Sequence, residues 1–300
     1  MHITPLEQTA KFPSTGARML WSLECWGLKR IDAWGVTFIV TALALVAHQN
    51  ITIQTGILVV AITANYWLGY WLNDYFDSEH DRQDELKARQ NLFVQHPGAH
   101  RLVGVVAGLV FGLSVSVFSS FGWHGLVVLV LNFLVMWAYS APPLRLKSRP
   151  GLDLLTHALF VQTWPYIICV WLTGSTWLQL DGILVGIFFL TSLNGQLNQQ
   201  IRDYEVDMHT DTNFATRLGL PVTMSILKIS TSFVLLLCFL AMITGSIPWL
   251  FLPLGVLALP KIGYQMLHHP GNTRRGFPRY LMYIIMVLAL LYTGVLIAFS

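Results

Sequence analysis

Residues 51–81 read ITIQTGILVVAITANYWLGYWLNDYFDSEHD, a long apolar run that ends in a cluster of acids and amides. The apolar part, 51–73, has the length of about 20 residues that a helix needs to cross a bilayer. Asn73, Asp77 and Asp81 recur at every fourth position, so on a helix they project from one face. Carboxylate and amide oxygens are the ligands that Mg²⁺ prefers. The stretch predicts a membrane helix whose end binds a divalent cation.

A second acidic cluster ends another apolar run, at Asp203 and Asp207, with Asp211 four residues further on. The residues before it are rich in amides, which are costly at membrane depth unless they face a cavity or one another. A single acid at a helix end is usually a solvated surface charge. Two copies of the pattern instead favour two acidic faces that hold Mg²⁺ against a diphosphate in a wet pocket.

The composition is that of an integral membrane protein. Of the 300 residues, 54% are hydrophobic and 11% are charged, whereas a soluble chain carries about 25% charged residues. The net charge of +3, without a basic cluster that carries interleaved aromatics, argues against a nucleic-acid partner. The three cysteines are an odd number and predict neither a disulfide framework nor a metal-thiolate site.

Nine apolar runs of roughly 20 residues predict an all-α bundle of nine transmembrane helices around a central cavity. Residues 1–30 form an N-terminal cytoplasmic segment, which could lie on the membrane surface, and 31–300 form the membrane domain. The predicted helices are 31–48, 51–73, 100–120, 123–141, 152–172, 180–200, 223–244, 247–267 and 279–299.

The distribution of charge predicts the orientation of the helices. We assign all 18 Lys and Arg residues to the side formed by the N-terminal segment and the loops after predicted helices two, four, six and eight. An excess of Lys and Arg marks the cytoplasmic side. The N-terminus is therefore predicted to be cytoplasmic and the C-terminus extracytoplasmic, in a multi-pass protein of the cell inner membrane if the source is bacterial. The cavity and both acidic clusters open to the cytoplasmic side.

A basic loop lies between the two acidic clusters. Residues 139–151 read YSAPPLRLKSRPG, in which Arg145, Lys147 and Arg149 follow the two prolines. A cationic inner loop can be only a topological signal. A diphosphate, however, needs both metal and Lys or Arg to neutralise it, and the loop occurs together with two clusters suited to Mg²⁺.

Three motifs together resemble the UbiA-type intramembrane prenyltransferase superfamily. They are NDYFDxxxD at 73–81, YSAPPLRLK at 139–147, and NQQIRDYEVD at 198–207 followed by RLG at 217–219. The resemblance spans about residues 28–220. It implies an enzyme that binds an isoprenyl diphosphate through Mg²⁺, transfers the prenyl chain to a lipophilic acceptor and releases pyrophosphate. The acceptor would be of quinone-precursor, chlorophyll, carotenoid or lipid type.

The resemblance also assigns roles to individual residues. It implies a metal site formed by Asn73, Asp77, Asp81, Asp203 and Asp207, of which the four aspartates are catalytic. It implies that the diphosphate is bound by Arg145, Lys147, Tyr139 and Arg30. Asp211 departs from the family pattern, since many members have Gly there. The PPLRLKSRPGLD form of the loop looks closer to chlorophyll-, carotenoid- and archaeal-lipid-type members.

An allylic cation left by the departing diphosphate needs a dry, aromatic surround, for which the candidates are Tyr66, Trp67, Tyr70, Trp71 and Trp164. Two other function classes remain open. One is a transporter whose acids bind ions or protons, although such acids usually lie near the bilayer midplane. The other is a non-catalytic relative that keeps the fold. Mg²⁺-dependent release of pyrophosphate separates the enzyme from both.

Overall fold

The computed structural model describes residues 30–89, 91–267 and 277–299, and every regular element in these ranges is helical. Within these ranges, nine long apolar helices, α1 to α9, make up the bundle. They are Ile31–Ala47, Ile53–Asp81, Val103–Ser119, Gly122–Ser140, Leu152–Leu172, Gln179–Thr210, Leu220–Ile243, Leu252–Leu267 and Arg279–Ala298. The predicted N-terminal segment, apart from Arg30, lies outside the described residues.

The predicted all-helical membrane fold is confirmed. Eight helices in the described ranges are long and apolar enough to cross a membrane, counting the 3₁₀ turns that precede α3 and α8. The ninth, α1, has 17 residues and is apolar throughout most of its length. At 1.5 Å per residue it is about 25 Å long, near the lower limit for a membrane span.

The helices α2 and α6 are longer than the sequence predicted. They have 29 and 32 residues and end at Asp81 and Thr210, past the predicted ends at 73 and 200. At about 44 Å and 48 Å they exceed the hydrocarbon thickness of about 30 Å. Their acidic ends therefore extend beyond the apolar core, with both acidic clusters on helical backbone as predicted.

Two lysines lie within membrane-spanning helices rather than in loops. Lys228 is inside α7 and Lys261 is inside α8. Lys228 lies in the first half of α7 and Lys261 in the second half of α8, so both are nearer the predicted cytoplasmic ends of their helices. Their long side chains can extend toward the polar region at that side.

The cavity is formed where α2, α4, α5 and α6 come together. In the described residues, α6 packs against α5 and α7, while α1 packs against α2, α5 and α9. Tyr166, Leu184 and Phe188 belong to the largest buried apolar cluster, which joins α5 to α6 near the end of the bundle opposite the acids. This packing fixes α2 and α6 relative to each other, so their acidic faces can share one cavity.

One buried polar cluster holds the opposite end of the bundle. Asp181, at the start of α6, is completely buried. Its carboxylate accepts hydrogen bonds from the Tyr166 hydroxyl at 2.5 Å and the Leu178 backbone N–H at 2.6 Å, and contacts His48 Nε2 at 3.0 Å. A buried carboxylate needs such partners. The cluster ties the ends of α1, α5 and α6 together.

The helix α5 contains a local irregularity that faces the cavity. Residues Leu159–Thr163 form a π-helical turn, and Pro165 follows it. A proline inside a helix lacks the N–H that would bond one turn back and clashes with that carbonyl. The wider turn relieves this, and Thr163 Oγ1 donates to the Ala158 carbonyl at 2.8 Å. Phe160, on this turn, reaches the cavity wall.

Candidate active site

A large cavity runs from the acidic ends of α2 and α6 into the bundle. Its empty volume, including the open mouth, is about 1450 Å³. The mouth is lined by charged residues from both acidic clusters and from the loops. The inner end is lined by Tyr66, Met136, Phe160 and Val161. The cavity therefore has a charged head and an apolar interior.

Every site residue that the sequence predicted lines this one cavity. They are Arg30, Asn73, Asp77, Asp81, Tyr139, Arg145, Lys147, Asp203 and Asp207. Asp211, which continues the second cluster, lines it as well. The structure thus brings together residues from α2, α4, α6 and the loop between α4 and α5. Their individual roles stay predictions.

The basic loop binds the first acidic cluster directly. Lys147 Nζ donates to Asn73 Oδ1 at 2.8 Å and also to the Asp77 carboxylate. Arg145 Nη2 donates to Asp77 Oδ1 at 3.1 Å. Asn73 Nδ2 in turn donates to Asp77 Oδ2 at 3.1 Å, so the i and i+4 residues of α2 form one hydrogen-bonded unit. Two cations therefore compensate Asp77 from outside its own helix.

The backbone of the loop explains how Arg145 reaches Asp77. Arg145 adopts a left-handed conformation, with φ +36° and ψ +60°, which is uncommon for a residue with a side chain. Its N–H donates to the Ala141 carbonyl at 2.9 Å, and its carbonyl accepts from the Ser148 N–H at 3.0 Å. Its Nε donates to Ser148 Oγ at 2.8 Å. Strained backbone of this kind is concentrated at functional sites.

The second acidic cluster is bound by residues that the sequence analysis did not identify. Lys87 Nζ donates to Asp207 Oδ1 at 2.8 Å, and Asn213 Nδ2 donates to Asp207 Oδ2 at 2.9 Å. Both residues line the cavity. Asp203 is paired with the neighbouring Arg202 through two hydrogen bonds of 2.8 Å and 3.0 Å. The spacing of Lys87 and Asn213 from the motifs gave no local signal of these contacts.

Two further predicted residues, Asp81 and Arg30, have partners that were not anticipated. Asp81 Oδ2 accepts a hydrogen bond from Asn91 Nδ2 at 2.7 Å. Arg30 Nη2 donates to Asp74 Oδ1, also at 2.7 Å, and Asp74 is buried. Arg30 thus lines the cavity, but it pairs with Asp74, which is not one of the predicted metal ligands.

The two cavity lysines respond differently to their surroundings. Burial lowers the pKa of Lys147, and its pairing with Asp77 offsets only part of this effect. Burial also acts to lower the pKa of Lys87, but the attraction of Asp207 outweighs it, so the net pKa is raised. An incoming polyanion that replaced Asp77 would favour the charged form of Lys147 further.

Comparison with known proteins identifies the family. The model of the UbiA prenyltransferase family matches residues 35–286. The chain belongs to the UbiA prenyltransferase family. The predicted resemblance is therefore confirmed, and it extends beyond the 28–220 region that carries the motifs.

Curated relatives of this UbiA-family chain include two lycopene elongase/hydratases. The one from Corynebacterium glutamicum is 28% identical over 170 residues, which cover 51% of this chain and 58% of the relative. The one from Halobacterium salinarum is 31% identical over 100 residues, or 33% of this chain and 35% of the relative. The match thus spans little more than half the length of the first relative and about a third of the second.

Solved structures of other UbiA homologues share the fold. A homologue from Archaeoglobus fulgidus, bound to GPP and Mg²⁺, has a TM-score of 0.69 and 17% identity, and the match covers 91% of this chain and 98% of the homologue. The apo structure of a homologue from Aeropyrum pernix K1 has a TM-score of 0.66 and 14% identity over 89% of this chain and 96% of that one. At these identities the likeness establishes the architecture.

The donor set suits Mg²⁺, although the acids are occupied by other partners. Among the described residues, no three His, Cys, Asp or Glu side chains surround a common point where a metal could sit. Instead Asp77 and Asp207 are paired with lysines, and Asp81 is bound by Asn91. These cations and amides therefore relieve the repulsion among the acids. Mg²⁺ fits chemically, because every donor is a carboxylate or amide oxygen on one cavity, but it would displace these partners.

Only two of the five aromatic residues predicted to surround the cation line the cavity, and their role stays a prediction. Tyr66 and Tyr70 line the cavity. Trp71 is fully buried elsewhere, stacked on Trp67 with ring centroids 6.2 Å apart and packed on Phe93 at 5.0 Å. Neither tryptophan lines the cavity, because each follows a tyrosine that does and is rotated from it by about 100° around α2.

The fifth aromatic candidate, Trp164, does not line the cavity but binds a residue that does. Its Nε1 donates to Asn132 Oδ1 at 2.7 Å, and Asn132 lines the cavity. Phe160 and Met136 line the cavity without having been predicted. Hydrophobicity alone cannot distinguish a side chain that faces a cavity from one that faces a neighbouring helix.

Proposed function

We propose that this protein is a Mg²⁺-dependent prenyltransferase that moves an isoprenyl chain from a polyprenyl diphosphate to a lipophilic acceptor and releases pyrophosphate. The observation that carries the proposal is the polarity of the cavity. Two acidic clusters and the cations Lys87, Arg145 and Lys147 meet at one end, and tyrosine, phenylalanine, methionine and valine side chains line the other. This arrangement matches a substrate with a polyanionic head and a hydrocarbon tail.

Different site residues would bind the metal and the phosphate groups. Asn73, Asp77, Asp81, Asp203 and Asp207 would hold Mg²⁺, which supplies charge stabilisation to the departing diphosphate. Lys147, Arg145 and Lys87 would leave their carboxylate partners and bind the phosphate oxygens, with Tyr139 beside them. These contacts strengthen as the ester oxygen gains negative charge, so they favour the transition state over the bound substrate.

The apolar interior protects the cation that forms when the carbon–oxygen bond breaks. Tyr66, Tyr70 and Phe160 present aromatic rings, whose faces attract a cation. The same side chains exclude water, which would otherwise capture the cation as an alcohol. The interior thus allows the acceptor to compete successfully for the prenyl chain.

We infer a neutral polyene of carotenoid type as the acceptor class. The partial relatives are lycopene elongase/hydratases, and the cations that line the cavity in the described residues belong to the head end or its mouth. An acceptor with a carboxylate or phosphate would need a second cationic site. A quinone precursor or a lipid acceptor is the alternative.

We also propose that the protein is a multi-pass protein of the bilayer, the cell inner membrane in a bacterium, with the charged cavity mouth toward the cytoplasm. The charge distribution supports this orientation. A soluble isoprenyl diphosphate would then reach the head end from the cytoplasm, and the lipophilic acceptor would enter from the membrane.

The test uses purified protein in liposomes that contain lycopene, with geranyl diphosphate as donor. We expect pyrophosphate release that requires Mg²⁺ and stops with EDTA, together with a prenylated lycopene in the mass spectrum of extracted lipids. A transporter or a non-catalytic relative would release no pyrophosphate above protein-free liposomes, and that result would overturn the proposal. Pyrophosphate release without a lycopene product would exclude only this acceptor, and liposomes made from lipids of the source cells then identify the natural one.

A further inference from the structure

His157 lines the cavity between its charged head and its apolar interior. It lies on α5, one turn before Phe160 and four residues after Asp153. On the facing helix, a Cβ placed at Gly195 would lie 3.9 Å from His157 Cε1, so the ring sits at the level of Gly195. Asp203 is eight residues further along α6, about 12 Å toward the mouth. The imidazole is therefore deeper than the acidic clusters.

The hydrogen bonds of His157 define its tautomer. His157 Nδ1 lies 3.1 Å from the Ser192 carbonyl oxygen and 3.2 Å from Ser192 Oγ. The carbonyl oxygen can only accept, so Nδ1 carries a proton. Ser192 Oγ donates its own proton to the His157 carbonyl at 2.8 Å, which leaves its lone pairs free to accept from Nδ1. The backbone of α6 thus fixes the orientation of the ring.

The other ring nitrogen is available to a ligand. None of the ion pairs among the described residues includes His157, and an imidazolium away from water without a counter-ion would be costly. A neutral ring protonated at Nδ1 has an unprotonated Nε2. Nε2 makes no hydrogen bond with the described residues, and it is not among their occluded unpartnered atoms. It is a free acceptor on the cavity wall.

We propose that His157 Nε2 is the base that removes the proton that the acceptor loses during prenyl transfer, an inference that rests on the proposed function. The carbon–oxygen bond of the diphosphate ester breaks and its electron pair leaves on oxygen. A carbon–carbon double bond of the acceptor supplies the pair for the new bond to the prenyl carbon. The adjacent carbon–hydrogen bond then releases its proton to Nε2, and its electrons re-form the double bond.

The proton balance of the reaction requires a group that accepts the proton of the acceptor. An acceptor that gains a prenyl chain and keeps its valence must lose one proton, and pyrophosphate gains one. His157 would pass the proton to the departing pyrophosphate and return to its starting state. The carboxylates that line the cavity are committed to cations and amides at the head end, whereas Nε2 is unprotonated, unpartnered and next to the apolar interior.

The position of Gly195 opposite the ring supports this assignment. The nearest atom to a Cβ built there is His157 Cε1, at ordinary contact distance. A larger side chain at this position would fill the space in front of the imidazole. With glycine here, no side chain from this position packs against Cε1, the ring carbon bonded to Nε2.

The experiment compares the parent with His157→Phe, which keeps a ring and removes Nε2, and with His157→Gln, which stays polar but cannot take the proton. Tritiated geranyl diphosphate is the donor, in liposomes that contain lycopene or lipids of the source cells. Coupled product and geraniol are counted per pyrophosphate released, and geranyl diphosphate binding and thermal unfolding are measured on the same samples. His124→Phe makes the matched change at the exposed start of α4.

We expect both His157 variants to bind geranyl diphosphate and to release pyrophosphate within about threefold of the parent. Coupled product that has lost the acceptor proton, counted per pyrophosphate, should fall about a hundredfold or more, the range of general-base catalysis. The label should appear instead as geraniol or as a coupled product that has added water. His124→Phe should match the parent. Unchanged coupling in the folded variants overturns this proposal alone, as does an equal loss of release and coupling. A parent that releases no pyrophosphate overturns the proposed function and this proposal with it.

Discussion

Lys87 and Asp207 form an ion pair of 2.8 Å across the cavity mouth, although 120 residues separate them. Lys87 belongs to the short helix Glu85–Ala88 that follows α2, and Asp207 belongs to α6. The pair therefore links the loop after the first acidic cluster to the second cluster. Lys147 and Asp77 form the corresponding pair at the first cluster. In both cases a cation stands where Mg²⁺ is expected to bind.

Lys87→Ala tests whether the lysine of such a pair leaves its carboxylate partner for a phosphate oxygen when substrate binds. If Lys87 moves from Asp207 to a phosphate oxygen, its removal weakens diphosphate binding by about tenfold, the lower end for a partly exposed charged hydrogen bond. The same change frees Asp207, so Mg²⁺ should bind more tightly without diphosphate. Calorimetry with Mg²⁺ alone and with geranyl diphosphate measures both effects.

The matched control for this experiment is Arg89→Ala. Arg89 pairs with Glu85 in the same short helix, but both side chains are largely exposed, and such pairs contribute little. We expect no change in either titration. Parallel weakening of Mg²⁺ and diphosphate binding in Lys87→Ala would show that the lysine supports the loop and does not exchange partners.

Lys147→Ala tests the basic loop in the same way. Lys147 is only 10% exposed and contacts Asn73 and Asp77. Loss of one charge-assisted contact to diphosphate should weaken binding or slow turnover by about tenfold to a hundredfold, for any prenyl chain length. Lys147→Arg keeps the charge but changes its shape, so its effect should be much smaller. Steady-state kinetics at saturating Mg²⁺ compare both variants with the parent. If Lys147→Ala had the same KM and kcat as the parent, Lys147 would have only a topological role.

The sequence predicted the elements of this site better than their contacts. Asn73, Asp77 and Asp81 were placed on one helical face because a four-residue period is a local property of α2. The apolar runs predicted the number of helices for the same reason. The predicted C-terminal ends of α2 and α6 were too early in the sequence. Both helices continue past the membrane core with polar residues.

The contacts that hold the acids could not be derived from local spacing. Lys87, Asn91 and Asn213 lie in connecting segments, and their partners are set by how these segments fold over the cavity. The sequence also did not show which aromatic residues of a helix face the cavity. Trp71 is buried in packing, whereas Tyr70, its neighbour in sequence, lines the cavity.

The orientation of the helices predicts the location of two reporters. A reporter fused after Ser300 should be extracytoplasmic, and one inserted within 82–101 should be cytoplasmic, because an excess of Lys and Arg marks the side predicted to be cytoplasmic. Paired enzyme reporters active on opposite sides of the membrane measure this in cells. Two reporters on the same side would contradict the nine-helix count.

Asp77→Asn and Asp207→Asn should abolish prenyl transfer while the protein stays folded and inserted. Each change removes a proposed Mg²⁺ ligand but keeps the shape of the side chain. It also leaves Lys147 or Lys87 without its counter-ion, so the thermal midpoint should fall. Product analysis and thermal unfolding are measured together. Glu79→Gln is the control, since Glu79 is on the same part of α2 but exposed and away from the cavity; near-normal transfer by either variant contradicts the metal site.

Asp181 should differ from the cavity acids, because its contacts hold the fold. It is completely buried, and its carboxylate contacts the Tyr166 hydroxyl, the Leu178 N–H and His48 Nε2. Asp181→Ala leaves these groups unpaired, so the free energy of unfolding should fall by about 2–5 kcal/mol. Along α6, Asp181 is 22 residues from Asp203, about 33 Å. Pyrophosphate release per folded molecule should therefore be unchanged at low temperature.

Tyr166→Phe provides a graded version of this experiment, since it removes one of the three contacts and leaves the carboxylate paired with the other two. Its loss of stability should be smaller than that of Asp181→Ala, because a carboxylate that retains two partners is not an isolated buried charge. Thermal unfolding in detergent, combined with activity at low temperature, separates the two effects. If Asp181→Ala lowered pyrophosphate release without lowering stability, Asp181 would have to be coupled to the cavity, and its role as a structural clamp would be wrong.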